Sequence, residues 1–345
     1  MSMINTISKP KVGVIDCDFL IFSAASSPSG EQVMYVYKDG DTEIARFESA
    51  AAGKNWIDEI EMFGFDGRFG FEGDPLSLIR TTEYEPKSLL EARKNFDKNL
   101  KKWIREAGVE DWVGRCASAK GAKSFRNEIA TFAEYKGNRT ESRKPFHLES
   151  VRKYAMSKEQ IKKAIGGFET DDLVCAIAQK GGSSHVVIAC DKDARGVSGC
   201  WYHIPGDTEE PEYSDGKIVG NISSRKKGTQ TKLDGHGWLF WLAQSLTGDT
   251  ADNYKGCKGY GPSKAADVLS QFNGKPLSFL PEAAKVACSV FKEVYGDAVE
   301  YNHWRTGEVM RVSYKDLFLE NLTLAYMVKS KSDKPQIIID AVNSM

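Results

Sequence analysis

Two short β-branched runs that end in aspartates constrain this chain more than any other feature. Val12-Gly13-Val14-Ile15 stops at Asp16-Cys17-Asp18, and His185-Val186-Val187-Ile188-Ala189-Cys190 stops at Asp191-Lys192-Asp193. Periodicity alone does not separate a buried strand from a buried helix in runs this short. Their β-branched content and acidic ends favour strands that feed helices. Asp111 to Ala117 and Cys200 to Ile204 read as two further strands. Gly166-Gly167-Phe168-Glu169-Thr170-Asp171-Asp172 opens an apolar helix that runs through Ala178. This alternation indicates an α/β fold, a mainly parallel central sheet flanked by helices. The carboxyl ends of parallel strands share one edge, where ligands bind, so Asp16 and Asp191 belong to the same edge.

Residues 28–110 read as an insertion into that core. Val33 to Tyr37 and Thr42 to Phe47 flank Lys38-Asp39-Gly40-Asp41, a hairpin signal. A Gly/Phe-rich stretch follows at Phe63 to Gly73. Over 86–107, Leu89, Leu90, Ala92, Phe96, Leu100, Trp103 and Ile104 recur at near-helical spacing. Residues 120–163 are polar and carry twelve Lys and Arg against five Glu, a local positive excess in an otherwise acidic chain. Residues 205–230 read as a polar loop. From Trp238 onward the pattern is helical, interrupted by glycines at 256–261, and it is expected to form a second subdomain over 238–345.

With 41% hydrophobic and 28% charged residues in 345, the chain can bury a sizeable core. Its 47 Lys+Arg against 48 Asp+Glu exclude a wholly basic coat but leave room for a local basic groove. No apolar run reaches the roughly 18 residues of a membrane span, and the N-terminus has no long apolar stretch of a secretory signal. Seven cysteines, none in a C-x-x-C pair, and five scattered histidines argue for a reducing cytoplasm and against a disulfide scaffold or zinc site.

Eight carboxylates fall at element ends: Asp16; Glu169, Asp171 and Asp172; Asp191 and Asp193; Asp249 and Asp252. Any one pair alone is more simply a solvated turn; the strand-end positions set these apart. Two charges about 4 Å apart repel by roughly 4 kcal/mol at an effective dielectric near 20. A gathered cluster therefore protonates or binds cations. Oxygen donors without His or Cys select Mg²⁺ or Mn²⁺ over Zn²⁺, with a structural Ca²⁺ site as the alternative. Two such ions about 3.5–4 Å apart suit phosphodiester hydrolysis.

In the basic segment, Phe125-Arg126 and Tyr135-Lys136-Gly137-Asn138-Arg139 combine phosphate-binding cations with a ring for base stacking. A solvated charged helix has the same composition. Lys136 and Arg139 share a face if the segment is helical, or flank a turn at Gly137-Asn138. Further on, Gly256, Gly259 and Gly261 permit close backbone approach, and Pro262 suits the first turn of a following helix. The amides at that helix start can hold a DNA phosphate; an ordinary helical hairpin is the plainer reading.

The order VIDCD, SFRNEIATFAEYKGNR, FETDDLVCAIA, VVIACDKD and SLTGDTADNYKGCKGYGPSKAADVL resembles the 5′→3′ exonuclease and flap endonuclease family, phage exonucleases in particular. The resemblance covers about residues 11–27 and 111–270 and leaves 28–110 unexplained. It implies a PIN-like flap-nuclease fold. The α/β core would occupy 1–237 with a basic helical arch at about 120–165, and the helical part from 238 would carry a helix-two-turns-helix element. Asp16, Glu169 and Asp171 match first-metal ligands. Asp191, Asp193, Asp249 and Asp252 match the second-metal group, with Asp172 near both. Lys136 and Arg139, beside Asp171 and Asp191, match the groups that work on the scissile phosphate. Tyr135 matches a base-stacking residue. Arg126, Lys264, Gly256, Gly259 and Gly261 match DNA contacts, the glycines with a K⁺ ion. One Asp common in the family, just before the Phe-Arg pair, is absent: the nearest residues are Ser118 and Ala119.

The implied activity is Mg²⁺- or Mn²⁺-dependent hydrolysis of duplex DNA from 5′ ends, with flaps and RNA in RNA–DNA hybrids as further substrates. The mechanism would be two-metal in-line attack by water, in phage DNA replication or primer removal. Two other readings share parts of this pattern. A PIN-type ribonuclease has the acidic crevice without the Gly-rich turn, and a non-catalytic, structure-specific DNA-binding protein would account for the missing Asp. The sequence identifies no protein partner and no membrane association.

Overall fold

The β-branched runs do form strands. In a computed structural model, which describes residues 11–63, 74–117, 124–139, 143–165, 167–197, 199–203, 212–328 and 333–345, β1 (Val12–Asp16) leads into α1 (Cys17–Ala25). Then come β2 (Glu31–Asp39), β3 (Thr42–Phe47), α2 (Ala50–Phe63), β4 (Ile79–Pro86), α3 (Leu89–Glu106) and β5 (Asp111–Cys116). The middle of the chain holds α4 (Arg126–Ile129), α5 (Leu148–Met156), β6 (Ile161–Lys163), α6 (Thr170–Gly181), β7 (His185–Ala189), β8 (Gly199–His203) and β9 (Glu212–Ser214). The rest comprises β10 (Asn221–Lys227), β11 (Gln230–His236), α7 (Trp238–Thr247), α8 (Pro262–Leu269), α9 (Leu280–Tyr295), β12 (Ala298–Asn302), β13 (Val309–Ser313), α10 (Tyr314–Ala325) and α11 (Gln336–Asn343).

Six strands form one sheet in the order β6-β5-β1-β7-β8-β9, parallel except for the last pair. β1 is central and flanked by β5 and β7, with Asp16 opposite Arg115 and Ile15 opposite Ile188. A strand covered on both faces needs an unbroken apolar run; Val14, Ile15 and Val186 to Ile188 are almost wholly buried. The ends of β1 and β7 therefore deliver Asp16 and Asp191 to one edge, as their position in the sequence requires.

The chain divides into two compact units. The first comprises 1–18, 102–142 and 159–345; the second comprises 19–101 and 143–158. This corrects the expected boundary at 237/238. The C-terminal helices bury Leu239, Trp241, Phe291 and Phe318 in the same core as Val14 and Val187 of the sheet, so no separate core forms there. The insertion does form its own unit, and α5 from the basic segment belongs to it. There β2 pairs with both β3 and β4, Tyr37 packs edge-on against Trp56 at 5.5 Å, and Phe96 meets Tyr154 at 6.3 Å. Glu31 is buried in that unit and paired with Arg143.

Two hairpins depart from the sequence reading. β10–β11 lies largely inside the expected polar loop; its strands are mostly polar, with Ile222 buried and Leu233 packed at the core edge. β12–β13 interrupts the C-terminal part expected to be helical, pairing Tyr301 with Met310. The Gly/Phe-rich stretch 64–73 lies outside the described residues. So do Ser118 and Ala119.

Candidate active site

At the end of β1, Asp16 is buried and accepts a hydrogen bond from the Asp18 amide at 2.9 Å. Asp18 then ties three elements together. Its oxygens accept from the Ala117 amide after β5 at 2.9 Å, and one accepts from the Thr170 hydroxyl at the start of α6 at 2.6 Å. Sequence reasoning passed over Asp18 as a site residue, although the D-C-D spacing was its signal. Asp171, one position into α6, shares a carboxyl–carboxylate hydrogen bond with Asp16. Burial, then the neighbouring Asp18 charge, pushes Asp16 up to about 7. Asp171 is held well above the usual carboxylate range by burial, then by the charges of Asp16 and Asp191.

After β7, Asp191 caps a short 3-10 turn by accepting from the Asp193 amide at 2.9 Å. Asp193 is buried against the Gln244 side chain from α7, and burial followed by the Asp191 charge raises its affinity for a proton. The turn after α7 brings up Asp249, which accepts from the Ala251 amide at 2.8 Å and from Lys192 Nζ at 2.7 Å. That turn is closed by Gly248 and Gly256, both with φ near +65°, whose backbones approach so closely that a Cβ on Gly256 would lie 2.2 Å from the Gly248 nitrogen. Only glycine fits there.

Between α4 and α5, the described part of the basic segment is not a helix at Lys136 and Arg139 but a turn. Lys136 has φ +59°, a left-handed conformation that costs a non-glycine residue about 1–2 kcal/mol. The turn is pinned against the one after α7. The Lys136 amide donates to Asp252 O at 2.8 Å, Asn253 Nδ2 donates to Glu134 O at 2.9 Å, and Arg139 Nε donates to Ala251 O at 3.2 Å. These three bonds place Lys136 Nζ 2.6 Å from Glu169 and 3.7 Å from Asp252, and Arg139 2.8 Å from Asp252. The Lys136 and Arg126 cations overcome burial and hold Glu169 below the usual carboxylate range.

Four expected roles are corrected. Arg126 is fully buried and cannot reach DNA: its guanidinium donates to both Asp172 oxygens at 2.8 and 2.9 Å, to Glu169, and to the Leu324 and Tyr326 carbonyls. Asp172 is equally buried; besides Arg126 it caps α6 through the Glu169 amide, so its oxygens face no open site. Tyr135 cannot stack on a base, because its ring is buried and its hydroxyl donates to Asp252 at 2.6 Å and reaches Glu169 at 3.0 Å. The Gly256 amide is taken by Asn321 Oδ1 at 3.0 Å and is closed to a phosphate. Gly259, Gly261 and Lys264 are exposed around the start of α8.

The remaining acids form adjoining groups rather than a finished cage. Asp16, Asp171 and Asp191 repel one another, as do Asp193, Asp191 and Asp249, while Glu169 and Asp252 are bridged by Lys136. Among the described residues no three His, Cys, Asp or Glu side chains converge as a ready cation site. The donor set nonetheless fits hard divalent ions. It is all oxygen, the charges pressing on buried Asp16 and Asp171 are those of other acids, and the buried Tyr254 hydroxyl beside Asp193, Asp249 and Asp252 has no hydrogen-bond partner. Asp16, Asp171, Asp191, Asp193 and Asp249 are the residues that would hold such ions.

No family model matches the chain. A curated 5′-3′ exonuclease of Mycoplasma pneumoniae is 27% identical over 165 residues, 44% of this chain and 51% of that protein. The chain resembles the 5′→3′ exonucleases. The match thus spans about half the length of that relative. Among solved structures, the chain is similar to a T5 protein co-crystallized with metal ions (TM-score 0.47, 11% identity, 97% of each chain covered). It is also similar to a bacteriophage T5 flap endonuclease in a pseudo-enzyme–product complex with DNA and metal ions (TM-score 0.43, 15% identity, 72% of this chain and 83% of that one). Among the described residues no helix is long and apolar enough to cross a membrane.

Proposed function

We propose that the chain hydrolyses phosphodiester bonds of DNA from 5′ ends, with flaps and RNA of RNA–DNA hybrids as further substrates. The observation that carries this reading is one sheet edge where Asp16, Asp171 and Asp191 crowd close to Asp193 and Asp249, with Lys192 as a neighbouring cation. Mg²⁺ or Mn²⁺, when bound by these oxygens, would supply activation of water and stabilisation of charge on the phosphate. The chain's own groups then have distinct tasks. Lys136 and Arg139 already sit on carboxylates, and a phosphate arriving at Glu169 and Asp252 would find two cations held in place by the turn beneath them. Arg126 and Asp172 fix the start of α6 and so aim Asp171. Gly259, Gly261 and Lys264 at the start of α8 would hold a duplex phosphate, with K⁺ at the same turn.

The test is Asp191→Ala, assayed for Mg²⁺-dependent release from a 5′-labelled duplex. The carboxylate is exposed, and losing its cap bond to the Asp193 amide should lower the melting temperature by only a few degrees, while the rate should fall at least about a hundredfold. Unchanged release would overturn the site assignment. Wild-type binding to DNA without cleavage in Mg²⁺ or Mn²⁺ would reduce the protein to a DNA-binding module.

A further inference from the structure

We propose that the β10–β11 hairpin is a phosphate-binding wall facing the carboxylates, holding the backbone of the strand whose end is processed. This rests on the nuclease reading and adds a binding surface to it. A crevice of about 810 Å³ is lined by Asp191, Asp193, Asp249 and Asp252. Arg195, Arg225, Lys227 and Lys232 line it too. Arg225 and Lys232 are directly paired across the hairpin, and Lys227, two residues from Arg225, shares their face by the alternation of a strand. Lys226 does not line the crevice, although Thr231, its partner across the hairpin, does. Asp234, on the same face, is bound by Arg195 at 2.5 Å and lies 3.7 Å from Arg225, so it ties the face to the body of the site and offsets one of its charges.

The hairpin does not need these cations to fold. Its register is held by backbone pairing, and Ile222 and Leu233 dock it to the core. Exposed ion pairs contribute little. A ligand that satisfies both walls is a polyanion: one phosphate over the acids once cations neutralise them, and its neighbours along the cationic face. Phe240 is the one aromatic side chain lining the crevice among the described residues, so the contacts go to phosphates and carry no sequence preference.

The experiment is fluorescence anisotropy of a labelled duplex with a 5′ single-stranded extension, in Ca²⁺, over a KCl series, with the full chain. R225Q/K232Q is compared with K217Q/K226Q, which removes the same charge from positions outside the crevice. The crevice pair should weaken binding about tenfold and flatten the salt slope by about 1.4, two single-strand phosphate contacts at roughly 0.7 each. The control pair should stay within about twofold of wild type with the slope unchanged, and both should melt like the parent. Equal losses in the two pairs, or none in R225Q/K232Q, would overturn the assignment. If wild type binds DNA and Asp191→Ala abolishes cleavage while R225Q/K232Q binds normally, only the hairpin proposal fails. If wild type shows no DNA binding, the nuclease reading fails with it.

Discussion

Replacing Asp16 by Asn should stabilise the metal-free protein, and by an amount that grows with pH. Asp16 is pushed up to about 7 from an ordinary value of 3.8, chiefly by burial and by Asp18. Between those values the native state keeps a proton that the unfolded chain has shed. Stability therefore falls as pH rises through this window, and the whole penalty is present above pH 7. A shift of about three units at 1.36 kcal/mol each gives roughly 4 kcal/mol at pH 8, shrinking to roughly 1.6 kcal/mol at pH 5. Asn mimics the neutral form, and its carbonyl can still accept from the Asp18 amide. The assay is thermal melting of both proteins in EDTA from pH 5 to pH 8. The Asn variant should melt higher, by several degrees at pH 8, given about 2–4 °C per kcal/mol in somewhat smaller proteins. Adding Mg²⁺ or Mn²⁺ should raise the wild type more than the variant. A stability gap that narrows as pH rises would refute the reasoning, because it would mean that Asp16 is ionised without cost.

Two further outcomes are expected. Arg126→Met leaves Asp172 buried without its counter-charge and should cost about 3–5 kcal/mol by urea denaturation, partly regained in R126M/D172N. Lys136→Met removes the ammonium 2.6 Å from Glu169. It should tighten Mn²⁺ binding to the DNA-free protein by calorimetry while cutting cleavage by about 10²–10³.

How much of this was legible beforehand varies residue by residue. The ends of β1 and β7 were readable because a buried parallel strand demands a continuous apolar run, and the acid that stops the run marks the sheet edge. The Gly248–Gly256 closure was half readable: glycines announce a tight turn, but not that the Gly256 amide is taken by Asn321, 65 residues further on. Arg126 and Tyr135 were misassigned for a similar reason. A cation beside an aromatic ring has the same composition whether it faces a phosphate or a buried carboxylate. The β10–β11 hairpin escaped notice because its strands are mostly polar, and backbone pairing leaves no hydrophobic alternation to read.

The sequence by itself determined four of the six strands of the sheet, the edge that gathers Asp16 and Asp191, and the all-oxygen donor chemistry, since these follow from local runs and side-chain types. Tertiary structure alone decided which charges are neutralised. Asp172 meets Arg126 and Glu169 meets Lys136 across 46 and 33 residues, while the charges beside Asp16 and Asp171 are those of other acids. The strength of an ionic pair depends on distance and burial in space, and neither is written in the order of residues along the chain.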